Sequence, residues 1–278
     1  MRYKRAFIAI TSLIVLASVT ILAILNIYGK STNKNSGCFG GGCSGCNGCS
    51  NKGRVNITYY KSKESQLLDT LNNYQKIFKN ELRKSNSEEE IFSIAKETKE
   101  EFVRLIPQIP YIGGDANSMT EDIERAAMVL ALYKVESRHG KSADEVGEIV
   151  VNAIKDEMSK YPKWLMRFNG RKFFTNTYIE KVRKEAEVSQ IRQYSGAWVT
   201  DFIKGNGKDF DYGFNHQECG IVKFFHEQNA EELTPYLCEL DFIYSDAMDE
   251  GLVRTSTLAE GGEYCDFRYK RVENRKSD

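Results

Sequence analysis

The spacing of apolar residues changes near residue 195, and this change most limits the folds open to the chain. From about residue 59 to residue 194, apolar side chains recur every three or four positions, as on one face of an α-helix. After residue 195, short segments rich in Trp, Val, Phe and Ile alternate with glycine-containing turns, which is typical of strands. The sequence therefore predicts an α+β fold with a helical N-terminal half and a C-terminal antiparallel sheet.

The helical half divides into five predicted helices. Ser87 and Glu90 have the spacing of a capping box, which starts the second helix. The third helix starts at Thr120, and Pro162 ends the fourth. We interpret the charged stretches of these helices as solvated faces, and His139 as a residue that caps a helix C-terminus.

The C-terminal part predicts four strands and two helices. In chain order these are strands at 197–203 and 210–214, helices at 219–228 and 231–249, and strands at 252–258 and 264–272. Glycine-containing turns at 205–207 and 260–263 join the strands of each pair. The sheet is therefore expected to be built from two hairpins.

A nearly unbroken apolar run covers residues 7–28 and is long enough to cross a bilayer as a helix. It is too long for the apolar part of a signal peptide, and no small-residue cleavage site follows it. Three basic residues precede the run and two follow it, which favours an extracytoplasmic body. We expect a single-pass membrane protein with an anchor at 1–28, a linker at 29–58 and one domain at 59–278.

The linker contains Cys38, Cys43, Cys46 and Cys49 among glycine, serine and asparagine residues. Thiolates spaced C-x4-C-x2-C-x2-C can converge on a metal or an iron–sulfur cluster. The alternative is a flexible tether whose thiols are free, oxidised or lipid-modified, and the high glycine content favours this alternative.

The overall charge limits the partners of the chain. With 39 basic and 39 acidic residues, the formal net charge is zero. A general nucleic-acid binder depends on a basic surface, so we expect no nucleic-acid partner.

The remaining three cysteines, Cys219, Cys238 and Cys265, share the last sixty residues with His216 and Asp241. One hypothesis is a divalent metal such as zinc held by the three cysteines, with His216 or Asp241 as a further ligand. A second is a cysteine nucleophile activated by a neighbouring side chain. The third is that the cysteines are buried structural residues, or that two of them form a disulfide in an extracytoplasmic body. Their wide spacing, which fits no short metal motif, favours buried structural cysteines.

The same segment contains three motifs: Cys238-Glu-Leu-Asp241, Leu252-Val-Arg254-Thr-Ser-Thr257, and Gly261-Gly-Glu-Tyr-Cys265-Asp-Phe-Arg268. Together they resemble the L-2-amino-thiazoline-4-carboxylic acid hydrolase family, and the closing Gly-x-x-x-Cys-Asp-Phe-Arg is the most specific piece. The ending is also similar to vinyl-reductase-like domains. That second resemblance implies an alternative function, a membrane-tethered sensor that binds a small ligand or a metal without catalysis.

The first resemblance implies hydrolysis of a cyclic amidine or isothiourea, such as 2-amino-thiazoline-4-carboxylate, to a carbamoyl-cysteine. We expect a hydrolase acting on a carbon–nitrogen bond, although opening this ring can break either a carbon–nitrogen or a carbon–sulfur bond. The reaction needs a nucleophile or activated water, an acid or base, and a cation for the substrate carboxylate. The candidates are Cys219, Cys238, Asp241 and His216 for catalysis, and Arg254 for the carboxylate.

Two of these assignments have alternatives. Arg254 suits a carboxylate because its guanidinium group donates two parallel hydrogen bonds, but it can equally form a surface ion pair. Asp266 lies beside Cys265 on a predicted strand, so their side chains face opposite ways. We expect Asp266 to cap the turn or to pair with Arg268.

Overall fold

The structure, a computed structural model, describes residues 58–271 of the chain. Within these residues a helical layer packs against one face of a four-stranded sheet. In chain order the elements are α1 (Glu64–Leu82), α2 (Glu88–Leu105), α3 (Thr120–Arg138), α4 (Ala143–Ser159), α5 (Lys163–Gly170), α6 (Asn176–Ser189), β1 (Val199–Lys204), β2 (Tyr212–Glu218), α7 (Gly220–Glu227), α8 (Thr234–Met248), β3 (Leu252–Val253) and β4 (Cys265–Tyr269). The predicted α+β class is confirmed for this part of the chain.

Helix α3 forms the centre of the helical layer. Most of its residues are buried, because residues 126–133 are apolar over two full turns and pack on every side. Capping boxes start α2 and α4: Ser87 pairs with Glu90 and Ser142 with Glu145. In each, the serine hydroxyl accepts from the glutamate N–H while the glutamate accepts from the serine N–H. The capping box that the sequence predicts at Ser87 is thus confirmed.

The sheet is antiparallel throughout, with strand order β1-β2-β4-β3. In the β2–β4 ladder, Phe214 lies opposite Phe267 and His216 lies opposite Cys265. Side chains at every second position share a face of the sheet, so these four side chains face the same way. The phenyl rings of Phe214 and Phe267 stack, with centroids 4.8 Å apart.

Several predicted element boundaries differ from the structure, and one helix is missing from the prediction. The strand predicted at 252–258 is only Leu252–Val253, because Asp266 accepts hydrogen bonds from the N–H groups of Thr255 and Ser256 and turns the chain. The helix predicted to reach residue 194 ends at Ser189, and Arg192 adopts a left-handed backbone (φ 52°). Helix α5 was not predicted, since it is a single short element directly after Pro162.

Several predictions fall outside the described residues. The apolar run at 7–28 and the linker cysteines Cys38, Cys43, Cys46 and Cys49 all precede residue 58. Across residues 58–271, no helix is both long and apolar enough to cross a membrane. The anchor and the linker site therefore stay predictions.

Candidate active site

A cavity of about 230 Å³ lies between α3, α4, α8 and the inner face of the sheet. Helix α8 supplies Cys238, Asp241 and Tyr244, which follow one another at three-residue steps and so share a helix face. The sheet supplies the ladder neighbours His216 and Cys265. The six side chains that the sequence marks as candidates all border this cavity: His216, Cys219, Cys238, Asp241, Arg254 and Cys265.

Asp241 and Arg254 form an ion pair on the cavity wall. Arg254 Nη1 donates to Asp241 Oδ2 at 2.6 Å, and Arg254 Nη2 donates to the Cys238 carbonyl at 2.7 Å. The rings of Phe242 and Phe267 lie 4.9 and 4.8 Å from the Arg254 guanidinium carbon. Only 4% of the Arg254 side chain is exposed, against 42% of Asp241. The carboxylate therefore opens onto the cavity, while the guanidinium lies behind it.

The three cysteines are free thiols at separate points of the wall. Cys219 is the residue before α7, and Cys238 lies on α8. Cys265 is buried on β4, where its Sγ accepts a hydrogen bond from the Leu258 N–H at 3.2 Å. Since the three thiols come from three elements, only the fold brings them to one space.

His216 is placed by β1 and by the aromatic face of the sheet. Its Nδ1 lies 2.8 Å from the Thr200 hydroxyl oxygen, and its ring contacts Phe214 and Phe267. Burial lowers the pKa of His216 to about 3, and the positive charge of Arg254 adds to this effect. His216 is therefore neutral at physiological pH, and it can contribute hydrogen bonds but no charge to the cavity.

A second carboxylate–guanidinium pair borders the cavity on α3. Arg125 Nη2 donates to Asp122 Oδ1 at 2.8 Å, and Arg125 Nη1 lies 3.4 Å from Glu121. The aromatic rings of Tyr74 and Tyr244 border the same space. Burial raises the pKa of Tyr244 to about 12, so its hydroxyl stays protonated.

The sequence matches the model of one protein family, described as L-2-amino-thiazoline-4-carboxylic acid hydrolase, over residues 121–269. This range is more than half of the 278-residue chain. The chain belongs to the L-2-amino-thiazoline-4-carboxylic acid hydrolase family. No curated protein and no solved structure matches it.

The match to the thiazoline-carboxylate hydrolases covers the cavity almost completely. It begins on α3, just before Asp122 and Arg125, and ends with β4. Of the polar side chains on the wall, only Tyr74 lies outside it. The family relationship predicted from the C-terminal motifs is confirmed, and it extends to the helical half that lines the site.

Burial keeps the thiols of this family member protonated. It raises the pKa of Cys219 to about 12, and it also raises the pKa of Cys238 and Cys265. The negative charge of Asp241 adds to the shift of Cys238, while Arg254 opposes it. None of the three is therefore a thiolate at neutral pH, so none is a strong nucleophile in this environment.

The proposed metal ligands do not converge in this arrangement. Within residues 58–271, no group of three or more His, Cys, Asp or Glu side chains is placed to hold a metal ion. Cys219, Cys238 and Cys265 border one cavity but do not form a closed ligand set. We therefore derive no catalytic step through a metal.

Asp241 differs from the thiols because it is ionised over part of the working pH range. Burial raises its pKa to about 6, and Arg254 limits the rise. A carboxyl group with this pKa can take a proton from water near neutral pH and return it within the same cycle. Asp241 is thus the side chain of the site best suited to acid–base chemistry.

Sequence reasoning missed the residues that the helices contribute, among them Asp122, Arg125, Tyr244 and Thr234. From the sequence we interpret the helical charges as solvated, but residues 126–133 of α3 are apolar over two full turns, and an arginine directly before such a stretch meets the interior. This apolar stretch is the sequence feature from which the inward position of Arg125 could have been predicted. Thr234 carries no comparable signal; its hydroxyl is buried on the cavity wall without a hydrogen-bond partner in the described part of the chain.

The predicted role of Asp266 is confirmed outside the cavity. Its carboxylate accepts from the Thr255 hydroxyl at 2.8 Å as well as from two N–H groups, and so caps the turn. Arg268 instead donates to Asn215 Oδ1 at 2.9 Å. Neither residue borders the cavity, which leaves both with structural roles.

Proposed function

We propose that the protein is a hydrolase that opens the ring of a cyclic amidine or isothiourea such as 2-amino-thiazoline-4-carboxylate to give a carbamoyl-cysteine. The observation that carries the proposal is the Asp241–Arg254 pair, whose carboxylate borders the cavity while its guanidinium is fixed behind it. Membership of the hydrolase family supports the same reaction class.

The charges of the cavity suit this substrate class. A protonated cyclic amidine is a cation, and the substrate also carries a carboxylate. The wall presents two carboxylates, Asp122 and Asp241, each beside an arginine. At about 230 Å³ the cavity is smaller than the roughly 300–1,000 Å³ of sites for drug-sized ligands, which favours a small single-ring compound.

Asp241 is the proposed general base. It removes a proton from a water molecule as the water oxygen bonds to the amidine carbon, which gives a tetrahedral intermediate. The bond from that carbon to a ring heteroatom then breaks, and Asp241 returns the proton to the leaving nitrogen or sulfur. The net reaction consumes one water molecule and opens one ring, and it needs no oxidant or reductant.

Arg254 and His216 have supporting roles in the proposed hydrolysis. Arg254 keeps Asp241 in place and limits the rise of its pKa, and its charge favours binding of the substrate carboxylate. His216, neutral at working pH, is a hydrogen-bond partner for the substrate. Because the thiols are protonated, water is favoured over Cys219 or Cys238 as the attacking group.

Mass spectrometry of the product tests this function. The purified full chain is incubated with L-2-amino-thiazoline-4-carboxylate in ¹⁸O-labelled water. We expect a carbamoyl-cysteine carrying one ¹⁸O atom, and its thiol content shows whether the carbon–sulfur or carbon–nitrogen bond broke. Saturable binding of the ring without product would support the sensor function instead.

We also propose that the apolar run at residues 7–28 tethers the enzyme to a membrane, with its body outside the cytoplasm. Extraction of membranes with alkaline carbonate tests the anchor. An anchored chain stays with the membrane fraction, whereas a peripheral chain is released. Protease protection in sealed vesicles then reports the side of the membrane on which the body lies.

A further inference from the structure

Helix α5 presents two large aromatic side chains to solvent. Trp164 is 70% exposed and Phe168 is 56% exposed. They are four residues apart, so the two rings lie side by side on one face of the helix. The opposite face packs Met166 and Asn169 into the protein. The aromatic face is therefore not needed for the core of the described domain.

The chain around these rings is strongly basic. Residues 158–179 contain five basic side chains and no acidic one, although the whole chain has equal numbers of both. The five are Lys160, Lys163, Arg167, Arg171 and Lys172. Lys172 Nζ lies 5.2 Å from the centre of the Phe168 ring, so cation and aromatic ring form one surface.

A neighbouring cleft extends the positive charge. It is lined by Arg167, Arg171, Lys270 and Arg271 together with two carboxylates. Arg167 pairs with Asp249 at 2.6 Å, and Lys270 lies 3.6 Å from Asp211. Four cations against two carboxylates leave the cleft net positive.

We propose that residues 162–172 form a docking surface for an anionic lipid membrane. Trp and Phe side chains favour the boundary between headgroups and acyl chains, and flanking Lys and Arg side chains attract anionic headgroups. Exposure alone does not mark such a surface. Phe92 on α2 is 74% exposed, but the acidic residues Glu88, Glu89 and Glu90 precede it on the same helix.

The apolar run favours a membrane over a nucleic acid, which can also stack on exposed rings beside cations. If residues 7–28 anchor the chain, residues 29–57 lie between the bilayer and the described domain. Extended, such a segment reaches roughly 100 Å, so it does not by itself decide which face of the domain meets the lipid. We expect the surface at residues 162–172 to determine which face of the domain meets the lipid. This role does not depend on whether the cavity is catalytic.

Tryptophan fluorescence tests the proposal, because the chain has only two tryptophans and Trp198 is 7% exposed. The full chain is reconstituted into vesicles of brominated phosphatidylcholine, with or without phosphatidylserine. We expect quenching of Trp164 that increases with phosphatidylserine and decreases with salt. Trp164→Phe should abolish the quenching.

A matched pair of variants separates local from overall charge. Lys163→Glu with Lys172→Glu should lower the ratio of docked to undocked protein at least about five-fold for each charge removed. Lys96→Glu with Lys99→Glu, exposed on α2 with the same change of net charge, should leave it unchanged. Equal quenching with and without phosphatidylserine would overturn the proposal. A second outcome would also overturn the proposal: vesicles quench neither the wild type nor the Lys163→Glu/Lys172→Glu variant, and this variant loses binding to single-stranded RNA.

Discussion

At the scale of single residues, the site depends on how Arg254 is held. Two nitrogens of one rigid guanidinium group reach Asp241 and the Cys238 carbonyl, while Phe242 and Phe267 flank the group. A lysine carries the same charge but is a single point donor without a planar fork. The geometry thus uses the shape of arginine and not only its charge.

Arg254→Lys should therefore lower the free energy of unfolding by about 1.5–3 kcal/mol, the range for a hydrogen bond to a charged group. Turnover should fall as well, since Asp241 loses its fixed partner. Urea unfolding and steady-state kinetics measure the two effects. Lys270→Arg, on the surface away from the cavity, is the control, and equal losses in both variants would contradict the assigned role.

Glu250 is a second buried carboxyl group, next to the C-terminal end of α8. Burial raises its pKa to about 8, and the negative charge of Asp241 contributes. Folding therefore favours its protonated form. The carboxyl group is neutral in both states below pH 4.5, and its ionisation destabilises the fold progressively as pH rises towards 8.

Glu250→Gln should consequently raise the melting temperature by several degrees at pH 9 and have little effect at pH 4.5. Differential scanning calorimetry at several pH values gives the profile. Glu263→Gln changes an exposed carboxyl group by the same amount and should show no such trend. A gain that is independent of pH would show that ionisation of Glu250 is not its cause.

At the scale of elements, α8 is placed by its contact with α4. A Cβ atom on Gly147 would lie 2.2 Å from Cγ of Tyr236, far inside normal contact, so α4 needs glycine there. Tyr236 also donates from its hydroxyl to Asp144 Oδ1 at 2.7 Å. This close approach sets the position of the helix that carries Cys238 and Asp241.

Gly147→Ala should lower the free energy of unfolding by about 1–3 kcal/mol, the usual cost of overpacking. The sign of the change in the free energy of unfolding shows whether position 147 is crowded, because replacing glycine by alanine at an uncrowded helix position stabilises by up to about 1 kcal/mol. Asn152→Ala, exposed on the same helix, is the comparison and should be neutral or stabilising. A stabilising Gly147→Ala would show that the two helices separate at little cost.

The sequence predicts elements well where one local pattern decides them. The capping box at Ser87 and the apolar stripes locate α1 to α4, and Pro235 marks the first turn of α8. The prediction fails where a residue distant in the sequence determines the backbone conformation. At residues 254–257, the carboxylate of Asp266 accepts hydrogen bonds from backbone N–H groups, in place of a neighbouring strand. Strand propensity alone cannot show that competition.

At the scale of the whole molecule, the cavity joins residues that are far apart in the chain. The C-terminal motifs were enough to predict that six side chains share a site, and the fold brings all six to one cavity. They did not reveal the opposite wall, where α1 supplies Tyr74 and α3 supplies Asp122 and Arg125. Packing of the helical layer on the sheet creates that wall, and no local pattern encodes it.

The most direct test of the central claim is the pH profile of turnover of 2-amino-thiazoline-4-carboxylate by the wild type and by Asp241→Asn. Because the pKa of Asp241 is about 6 and its ionised form is the proposed base, we expect the wild-type rate to rise with pH through about 6 and then level off. Asp241→Asn should fold but lose at least about 100-fold in rate above pH 7, with a loss that shrinks as pH falls below 6. An active Asp241→Asn protein with the wild-type profile would contradict the assignment of Asp241 as the base.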